Sequence, residues 1–313
     1  MKRRNLAGAS TVTCAQTDAV ACCEARNRRG LTLPTHSNLK RKKNAYILLT
    51  PLYHRKIQMK FNIPTRENQK LRKLIEKVEG MKELETFWHC SNVTAIDRMG
   101  YTDHGPVHVR IISNIALKLA RMLESVEMHG VEKDYKLSAE HSKIVIFLSC
   151  ILHDIGMVVQ REHHEIFAVA MAYPLLEKIL SDYPVEERVI MTSEVLHAIV
   201  SHYSEGKPLT KEAAIFCIAD ALDMEKGRAR IPFVAGKVDI HSVSALAIDR
   251  VELLKGDKKQ VTIKIGMSNS AGIFQVDELL GSRIRRSGMG EYIDVIAEIE
   301  GETEKRILKK FEL

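Results

Sequence analysis

The chain has 313 residues, of which 45% are apolar and 5% are aromatic. This apolar content is too high for a disordered chain, and the length suits one large domain or two modest ones. No uninterrupted apolar run approaches the roughly 18 residues that a membrane-spanning helix needs. The composition therefore excludes collagen-like and disulfide-scaffold proteins, and the sequence predicts a protein that does not span a membrane.

The net charge of +7 is unevenly distributed along the chain. Residues 1–58 carry 12 Lys and Arg against two acidic residues, whereas the remainder carries 35 against 38. The basic segment shows no sustained helical or strand period. It is interpreted as a disordered extension, or as sequence upstream of a true start at Met59. A signal peptide and a nucleic-acid-binding arm are the alternatives, although Thr13, Gln16 and Asp18 interrupt the apolar stretch that a signal peptide requires.

Three cysteines lie beyond the basic segment, namely Cys90, Cys150 and Cys217. They are odd in number and far apart, and the last two lie in apolar runs. This usage predicts buried thiols in a reducing compartment, and the cytoplasm is the expected location.

Helical periodicity dominates from Met59 to about Arg230. Thr65, Pro106, Ser138 and Thr210 stand where helices can begin. The predicted helices are 65–78, 81–88, 106–128, 138–152, 164–180, 186–203 and 210–224. The helix ending at 152 is apolar on every side, which predicts a central position in a bundle, and Gly156 is placed to end it.

The pattern changes after Pro232. Segments 247–254 and 260–267 alternate like strands and predict a hairpin, followed by a helix over 273–286 and a strand over 292–299. The predicted fold class is therefore mainly α, with a helical domain over 59–232 and a small α+β domain over 233–313.

Ionisable residues interrupt three of the apolar helices. His108 heads an apolar stripe, His153 and Asp154 end the most hydrophobic helix, and Asp220 lies inside an apolar run. A single histidine or aspartate of this kind is usually paired within the core. Three inward-facing positions on three helices instead predict ligands of one divalent ion.

The order His108, His153-Asp154, Asp220 and the string Leu152 to Gly156 resemble the HD superfamily of metal-dependent phosphohydrolases. The likeness covers roughly residues 100–230. It implies an all-helical catalytic core, hydrolysis of a phosphoester by a metal-activated water, and these four residues as metal ligands. Mixed imidazole and carboxylate ligation suits one or two ions of Mn, Fe, Co, Ni, Zn or Mg.

Many members of that superfamily place a lysine after His-Asp-x-Gly to hold phosphate, whereas this chain has Met157. Other cations would then have to contact the phosphate. The candidates for substrate binding are Arg161, Lys207, Arg228 and Arg230.

Further histidines raise the possibility of a second metal. The run from His163 to Ile166 resembles the His-x-Glu-Ile motif of the branch that cleaves cyclic dinucleotides, which puts His163 in the ligand position. His202 resembles the second downstream ligand of that branch, although the Gly-Tyr-Pro element is absent. The alternative is that both line the substrate pocket.

His104 stands four residues before His108. This arrangement is similar to the His-x-x-x-His motif of cyclic-nucleotide phosphodiesterases, in which the first histidine protonates the leaving alkoxide. A structural role at the start of the helix is the alternative.

The resulting hypothesis is an enzyme, a metal-dependent phosphatase or phosphodiesterase, with Asp154 and His104 as catalytic residues. Its partner would be a small, nucleotide-like phosphomonoester or a cyclic or dinucleotide phosphodiester, with no membrane and no nucleic acid. A homo-oligomer formed through the C-terminal domain is a further expectation. The alternatives are a catalytically weak HD-fold sensor or scaffold whose C-terminal domain binds a ligand or partner, and an RNA-associated factor that depends on residues 1–58.

Overall fold

The computed structural model describes residues 59–65, 68–203, 205–228, 240–300 and 310–312. Expectations for the basic segment 1–58, for Arg230 and for the domain boundary near 232 lie outside these residues. The helical part consists of α1 (Gln69–Glu79), α2 (Lys82–Asn92), α3 (Pro106–Met122), α4 (Val131–Tyr135), α5 (Ala139–Leu152), α6 (His164–Ile179), α7 (Val185–Ser201) and α8 (Lys211–Leu222).

Several of these helices begin at the predicted residues. Ser138 caps α5 through a reciprocal capping box with His141, and the Thr210 side chain accepts from the backbone of α8. Helix α1 instead begins after Asn68, whose Oδ1 accepts from Leu71 N at 2.7 Å, so the prediction of a cap at Thr65 is wrong. Helix α3 begins at Pro106 but ends at Met122, six residues before the predicted end.

Helix α5 is the centre of the bundle. Every residue from Ile144 to Leu152 is buried, and α3, α7 and α8 pack around it. Contrary to the expectation from the sequence, the helical stretch Ala139–Val158 is long and apolar enough by composition to cross a membrane, but 89% of its 18-residue apolar window is buried inside the protein. Burial of this kind is expected of a core helix.

Gly156 does not end α5, which stops at Leu152, and the expectation for this glycine is corrected. It lies in the short helical turn Ile155–Val158 that presses against α6. A Cβ atom at position 156 would come within 1.9 Å of His164 O and 2.6 Å of Ala168 N. Glycine is therefore required because two backbones touch here, and their contact brings Asp154 beside the start of α6.

The C-terminal part combines α and β structure, as predicted. It contains α9 (Ile240–Leu246), a wide helical turn (Gln275–Gly281) that continues into α10 (Ser282–Ser287), and strands β1 (Ile248–Lys255), β2 (Val261–Met267), β3 (Ile293–Ile299) and β4 (Lys310–Glu312). The sheet order is β1-β2-β3-β4. The predicted β1–β2 hairpin is antiparallel, β2 and β3 pair in parallel, and β3 and β4 pair antiparallel. The fold class is thus confirmed as mainly helical with a small C-terminal α+β part.

Two carboxyl groups are buried together away from the histidines. Glu212 on α8 is wholly buried and accepts from Ser142 Oγ at 2.6 Å, and Glu194 on α7 is 7% exposed. Among the described residues, neither Glu194 Oε2 nor Glu212 Oε2 has a hydrogen-bond partner. Burial raises the pKa of Glu194, and the neighbouring Glu212 charge raises it further.

Glu194→Gln is expected to stabilise the metal-free protein at pH 8. Because the pKa of Glu194 is raised in the folded state, its contribution to the free energy of unfolding is fully present below the pKa of the unfolded state. That contribution is lost as the pH rises through the pKa of the folded state. The neutral amide escapes this loss, so we expect Tm to rise by about 2–4 °C, or about 1 kcal/mol. The gain should vanish near pH 4, where both carboxyls are protonated. Thermal melts across this range test it, with the exposed Glu186→Gln of the same helix as control. An equal gain at every pH would contradict the electrostatic explanation.

Candidate metal centre

Four buried imidazoles converge between the helices. His108 lies in the first turn of α3, His153 follows α5, His164 opens α6 and His202 follows α7. Their Nε2 atoms meet in two pairs: His108 and His153 at 3.3 Å, and His164 and His202 at 3.1 Å.

The opposite ring nitrogens fix the protonation of each imidazole. Nδ1 of His153 donates to Cys150 O at 2.9 Å, Nδ1 of His164 donates to Arg161 O at 2.9 Å, and Nδ1 of His202 donates to Ile199 O. Nδ1 of His108 donates to a carboxylate, Asp223 Oδ2, at 2.6 Å. In the neutral rings every Nε2 is then a bare lone pair. Two lone pairs at such distances repel each other, so each facing pair needs a cation, either a proton, as at His108 in the metal-free protein, or a metal ion that replaces it.

Two carboxylates complete the arrangement. Asp220 Oδ1 lies 3.2 Å from His108 Nε2 and 3.8 Å from His153 Nε2. Asp154 is shared, because its Oδ2 lies 3.0 Å from His153 Nε2 and its Oδ1 lies 3.2 Å from His164 Nε2. Asp154 Oδ2 is buried and has no hydrogen-bond partner among the described residues. An orphaned carboxylate oxygen facing bare imidazole nitrogens fits a bound cation.

These ligand atoms form two groups that could each hold an ion. The first group consists of His108, His153 and Asp220, and the second group consists of Asp154, His164 and His202; within each group the ligand atoms lie within 4.8 Å of one another. Asp154 Oδ2 also faces the first group. The mixed nitrogen and oxygen donors suit divalent Mn, Fe, Co, Ni, Zn or Mg, as the sequence predicts.

The electrostatics show how strongly the groups interact. Burial alone raises the pKa of Asp154 and of Asp220, but the imidazoles beside them, chiefly His153 and His108 respectively, hold both values well below their usual range. Burial and Arg228 lower the pKa of His108, and the carboxylates of Asp220 and Asp223 outweigh them and raise it to about 9. The carboxylates are thus ionised near neutral pH, and an ion binding at His108 has to replace a proton.

The structure brings together His108, His153, Asp154, Asp220 and His202, as the sequence predicts, but it corrects the expectation for His163. The His163 side chain is 67% exposed and its backbone adopts a left-handed conformation, with φ 57°. Helix α6 begins at His164, as predicted, and it is His164 instead of His163 that turns into the core.

The predicted phosphate-binding cations have different surroundings. Arg161 lies beside the second group, with Nη1 3.2 Å from His164 Nδ1 and its guanidinium over the Tyr101 ring. Lys207 is exposed on the α7–α8 connection. Arg228 pairs with Asp223, with Nη1 2.7 Å from Oδ2, and its contact with a phosphate stays a prediction.

Asp223 was missed as a functional residue, although it stands three residues after Asp220. Its Oδ2 accepts from both His108 Nδ1 and Arg228 Nη1, and it thereby orients the imidazole of the first group. A carboxylate behind a metal-binding histidine fixes the tautomer and raises the basicity of the ligand. The three-residue spacing, which places both aspartates on one side of the helix end, is the signal that could have indicated it.

Asp223→Asn is expected to weaken ion binding at the first group by about 10–100-fold while leaving the fold intact. The neutral amide can no longer accept from both His108 and Arg228 as the charged carboxylate does. A calorimetric titration of the metal-free protein with Mn²⁺ measures this change in affinity. Asp182→Asn, which removes an exposed carboxylate that pairs with Lys77, is the control. Wild-type affinity in the Asp223 variant would show that the carboxylate does not tune this histidine.

His104 is buried beside the two groups but belongs to neither. Its Nδ1 lies 2.8 Å from Thr102 O and its backbone N–H donates to Asn92 Oδ1, and the ring centroid is 6.1 Å from that of His108. Burial lowers the pKa of His104 to about 3, although Asp154 opposes this effect. The ring is therefore neutral before a ligand binds, with Nδ1–H directed to Thr102 O and Nε2 available as an acceptor.

A family model for the HD domain matches residues 107–225, a span that contains all the ligands of both groups. The chain is also 44% identical over 224 residues to the uncharacterized protein MJ1020 of Methanocaldococcus jannaschii, a match that covers 71% of this chain and 86% of the relative. No solved structure matches. The site contains two groups of mostly buried side chains that could each hold a divalent metal ion. The chain belongs to the HD domain family, and this membership implies a metal-dependent hydrolase type of activity.

Proposed function

We propose that the protein hydrolyses a phosphoester at a two-ion centre formed by the first and second groups. The observation that carries this proposal is the pair of facing Nε2 atoms in each group, with one oxygen of Asp154 directed at each pair. Such a shared carboxylate suits two adjacent ions acting on one substrate.

Divalent ions bound there would supply an acidified water and neutralise the charge that develops on the phosphoryl group. The remaining roles in binding the substrate and transferring protons would belong to side chains of the protein. Asp154 would hold the centre together and accept a proton at its carboxylate, Arg161 would orient the phosphoryl oxygens, and His104 would serve the leaving group. Met157 is wholly buried in the turn after Asp154, at the position where many superfamily members have a phosphate-binding lysine. In this proposal Arg161 makes the phosphate contact instead.

The substrate proposed is small and nucleotide-like, either a phosphomonoester or a cyclic or dinucleotide phosphodiester. A cytoplasmic location is proposed because Cys150 and Cys217 are buried free thiols, although Cys90 is exposed. A homo-oligomer formed through the C-terminal part remains a prediction.

A metal-binding sensor or scaffold with little turnover is the second candidate. Two observations favour it: Met157 is buried where relatives carry a phosphate-binding lysine, and Arg228 is engaged by Asp223. Both reduce the positive charge available to a substrate.

Metal analysis followed by a phosphoester panel separates the two candidates. The purified protein is stripped, reconstituted with each of the six metals, and assayed on nucleoside monophosphates, cyclic nucleotides, cyclic dinucleotides and nitrophenyl phosphoesters. We expect two ions per chain and turnover on at least one of these substrates, with His153→Ala as the inactive control. Two ions without turnover on any ester would favour the sensor, and a protein that binds no ion would overturn both candidates.

A further inference from the structure

The C-terminal part contacts the chain segments that carry the downstream ligands. Helix α10 and the turn before it pack against α8, which carries Asp220. Strand β1 is held to the segment after α8, because Val251 N donates to Glu225 at 3.0 Å and Lys226 pairs with Asp249 at 2.8 Å. The metal ligands on the downstream side thus lie against a structure that the HD domain match does not include.

One contact reaches the backbone next to a ligand of the second group. Arg283 Nη1 on α10 donates to Tyr203 O at 3.1 Å, and Tyr203 is the residue after His202. The last carbonyls of a helix lack partners within that helix, and cationic side chains are favoured at this end. Gly206 N donates to the same carbonyl at 2.9 Å, so Tyr203 O is held from two sides.

The backbone around His202 has little space on its inner side. A Cβ atom at Gly206 would come within 2.3 Å of Ser201 O, so the turn after α7 is already closely packed. His202 itself is 6% exposed, and its ring is tied to Ile199 O through Nδ1. A displacement of the backbone at 202–203 therefore moves Nε2 relative to His164 and Asp154.

Two of the three ligands of the first group lie away from this contact, whereas the third, Asp220, lies on α8, which α10 also contacts. His108 lies on α3 and His153 at the end of α5, and their rings are held by Asp223 and Cys150 O respectively. Arg283 lies near enough to α8 to lower the pKa of the Cys217 thiol, which burial nonetheless raises to about 12. The Arg283 guanidinium nevertheless donates to the α7–α8 connection, on the side of the second group.

We infer that Arg283 of the C-terminal part is a positioning residue for the second group: it holds the backbone at Tyr203 so that His202 Nε2 meets His164 Nε2 and Asp154. The inference rests on the proposed two-ion centre and adds a role for the C-terminal part, which completes the site of the second ion. Arg283 acts through the backbone and is not itself a ligand.

In the test, the full-length, metal-free protein is titrated with Mn²⁺, and binding is monitored by calorimetry and by electron paramagnetic resonance. In Arg283→Ala we expect the second binding event to weaken by about 10–100-fold, as for other residues that orient a ligand, while the first event keeps wild-type affinity. The signal of the spin-coupled manganese pair should be lost at two equivalents. Arg283→Lys should recover much of the second event, since an ammonium group also donates to a carbonyl.

The control is Arg285→Ala on the same helix, which removes an exposed arginine that pairs with Asp277. An unchanged second event in Arg283→Ala would overturn the inference while the two-ion centre stands. Equal weakening of both events would show that Arg283 serves the fold only, and would also overturn it. If wild-type protein binds one ion, the proposed centre and the inference fail together. If Arg283→Ala does not fold, Arg283→Gln is measured in its place and judged by the same outcomes.

Discussion

Asp154→Asn is expected to lose both metal ions and nearly all hydrolysis. Its two oxygens face different pairs of imidazoles, so one substitution removes an anionic ligand from each pair and leaves Asp220 as the carboxylate of the first group. The amide keeps the shape of the side chain, and the helices around it should be retained. We expect turnover to fall by about 10⁴-fold or more, because a centre without its ions cannot activate water or neutralise phosphoryl charge. Metal analysis after reconstitution and circular dichroism measure the two consequences.

Two single-group variants are the matched controls for Asp154→Asn. Asp220→Asn removes a ligand of the first group only, and His202→Ala removes a ligand of the second group only. Each should keep one ion at close to wild-type affinity. Tight retention of one ion by Asp154→Asn would mean that Asp154 belongs to a single group, and the two-ion centre would have to be abandoned.

The first group could be predicted from the sequence because its residues stand out from their surroundings. His153, Asp154 and Asp220 interrupt apolar helices, where an ionisable group is costly unless it is paired or bound to metal. Hydrophobic periodicity also indicates that His108 faces inward. The hydrophobic repeat shows which positions are buried, and the sequence shows that ionisable residues occupy them. The structure confirms that these residues are neighbours.

The second group could be predicted only in part, because the motif resemblance placed the ligand at His163. The predicted helix start at residue 164 is correct, but a helix start does not show which of two adjacent histidines faces the core. The left-handed backbone at His163, just before the helix, turns that ring outward. The close contact of Gly156 with α6, which places His164 beside Asp154, also joins segments whose packing leaves no local pattern.

The contacts of the residues that support the ligands could not be predicted, since the partners in each contact are distant in the chain. Asp223 reaches His108 across 115 residues, and Arg283 reaches Tyr203 across 80. Spacing along a helix carries no information on such pairs. The same limit applies to the sheet: the β1–β2 hairpin follows from local turn signals, whereas the parallel pairing of β2 and β3 requires a long connection.

The role of His104 depends on when its ring is protonated. With a pKa of about 3 the ring is neutral at pH 7, so it cannot donate from Nε2 before a ligand arrives. A bound phosphoester brings negative charge next to the ring, which favours the protonated form and raises the pKa. In the proposed function, His104 would take up a proton from solvent at Nε2 once the substrate is bound and pass it to the leaving group, while its Nδ1–H stays on Thr102 O.

His104→Ala is therefore expected to reduce turnover by about 10²–10⁴-fold without releasing metal, since His104 belongs to neither group. The loss should be largest for alkyl leaving groups and should shrink for nitrophenyl phosphoesters, because a leaving group that needs no proton gains little from an acid. Metal analysis and rates across a leaving-group series measure both effects, with the exposed His129→Ala as control. Loss of metal would make His104 a ligand or a structural residue. An equal loss for good and poor leaving groups would mean that the ring positions the substrate and transfers no proton.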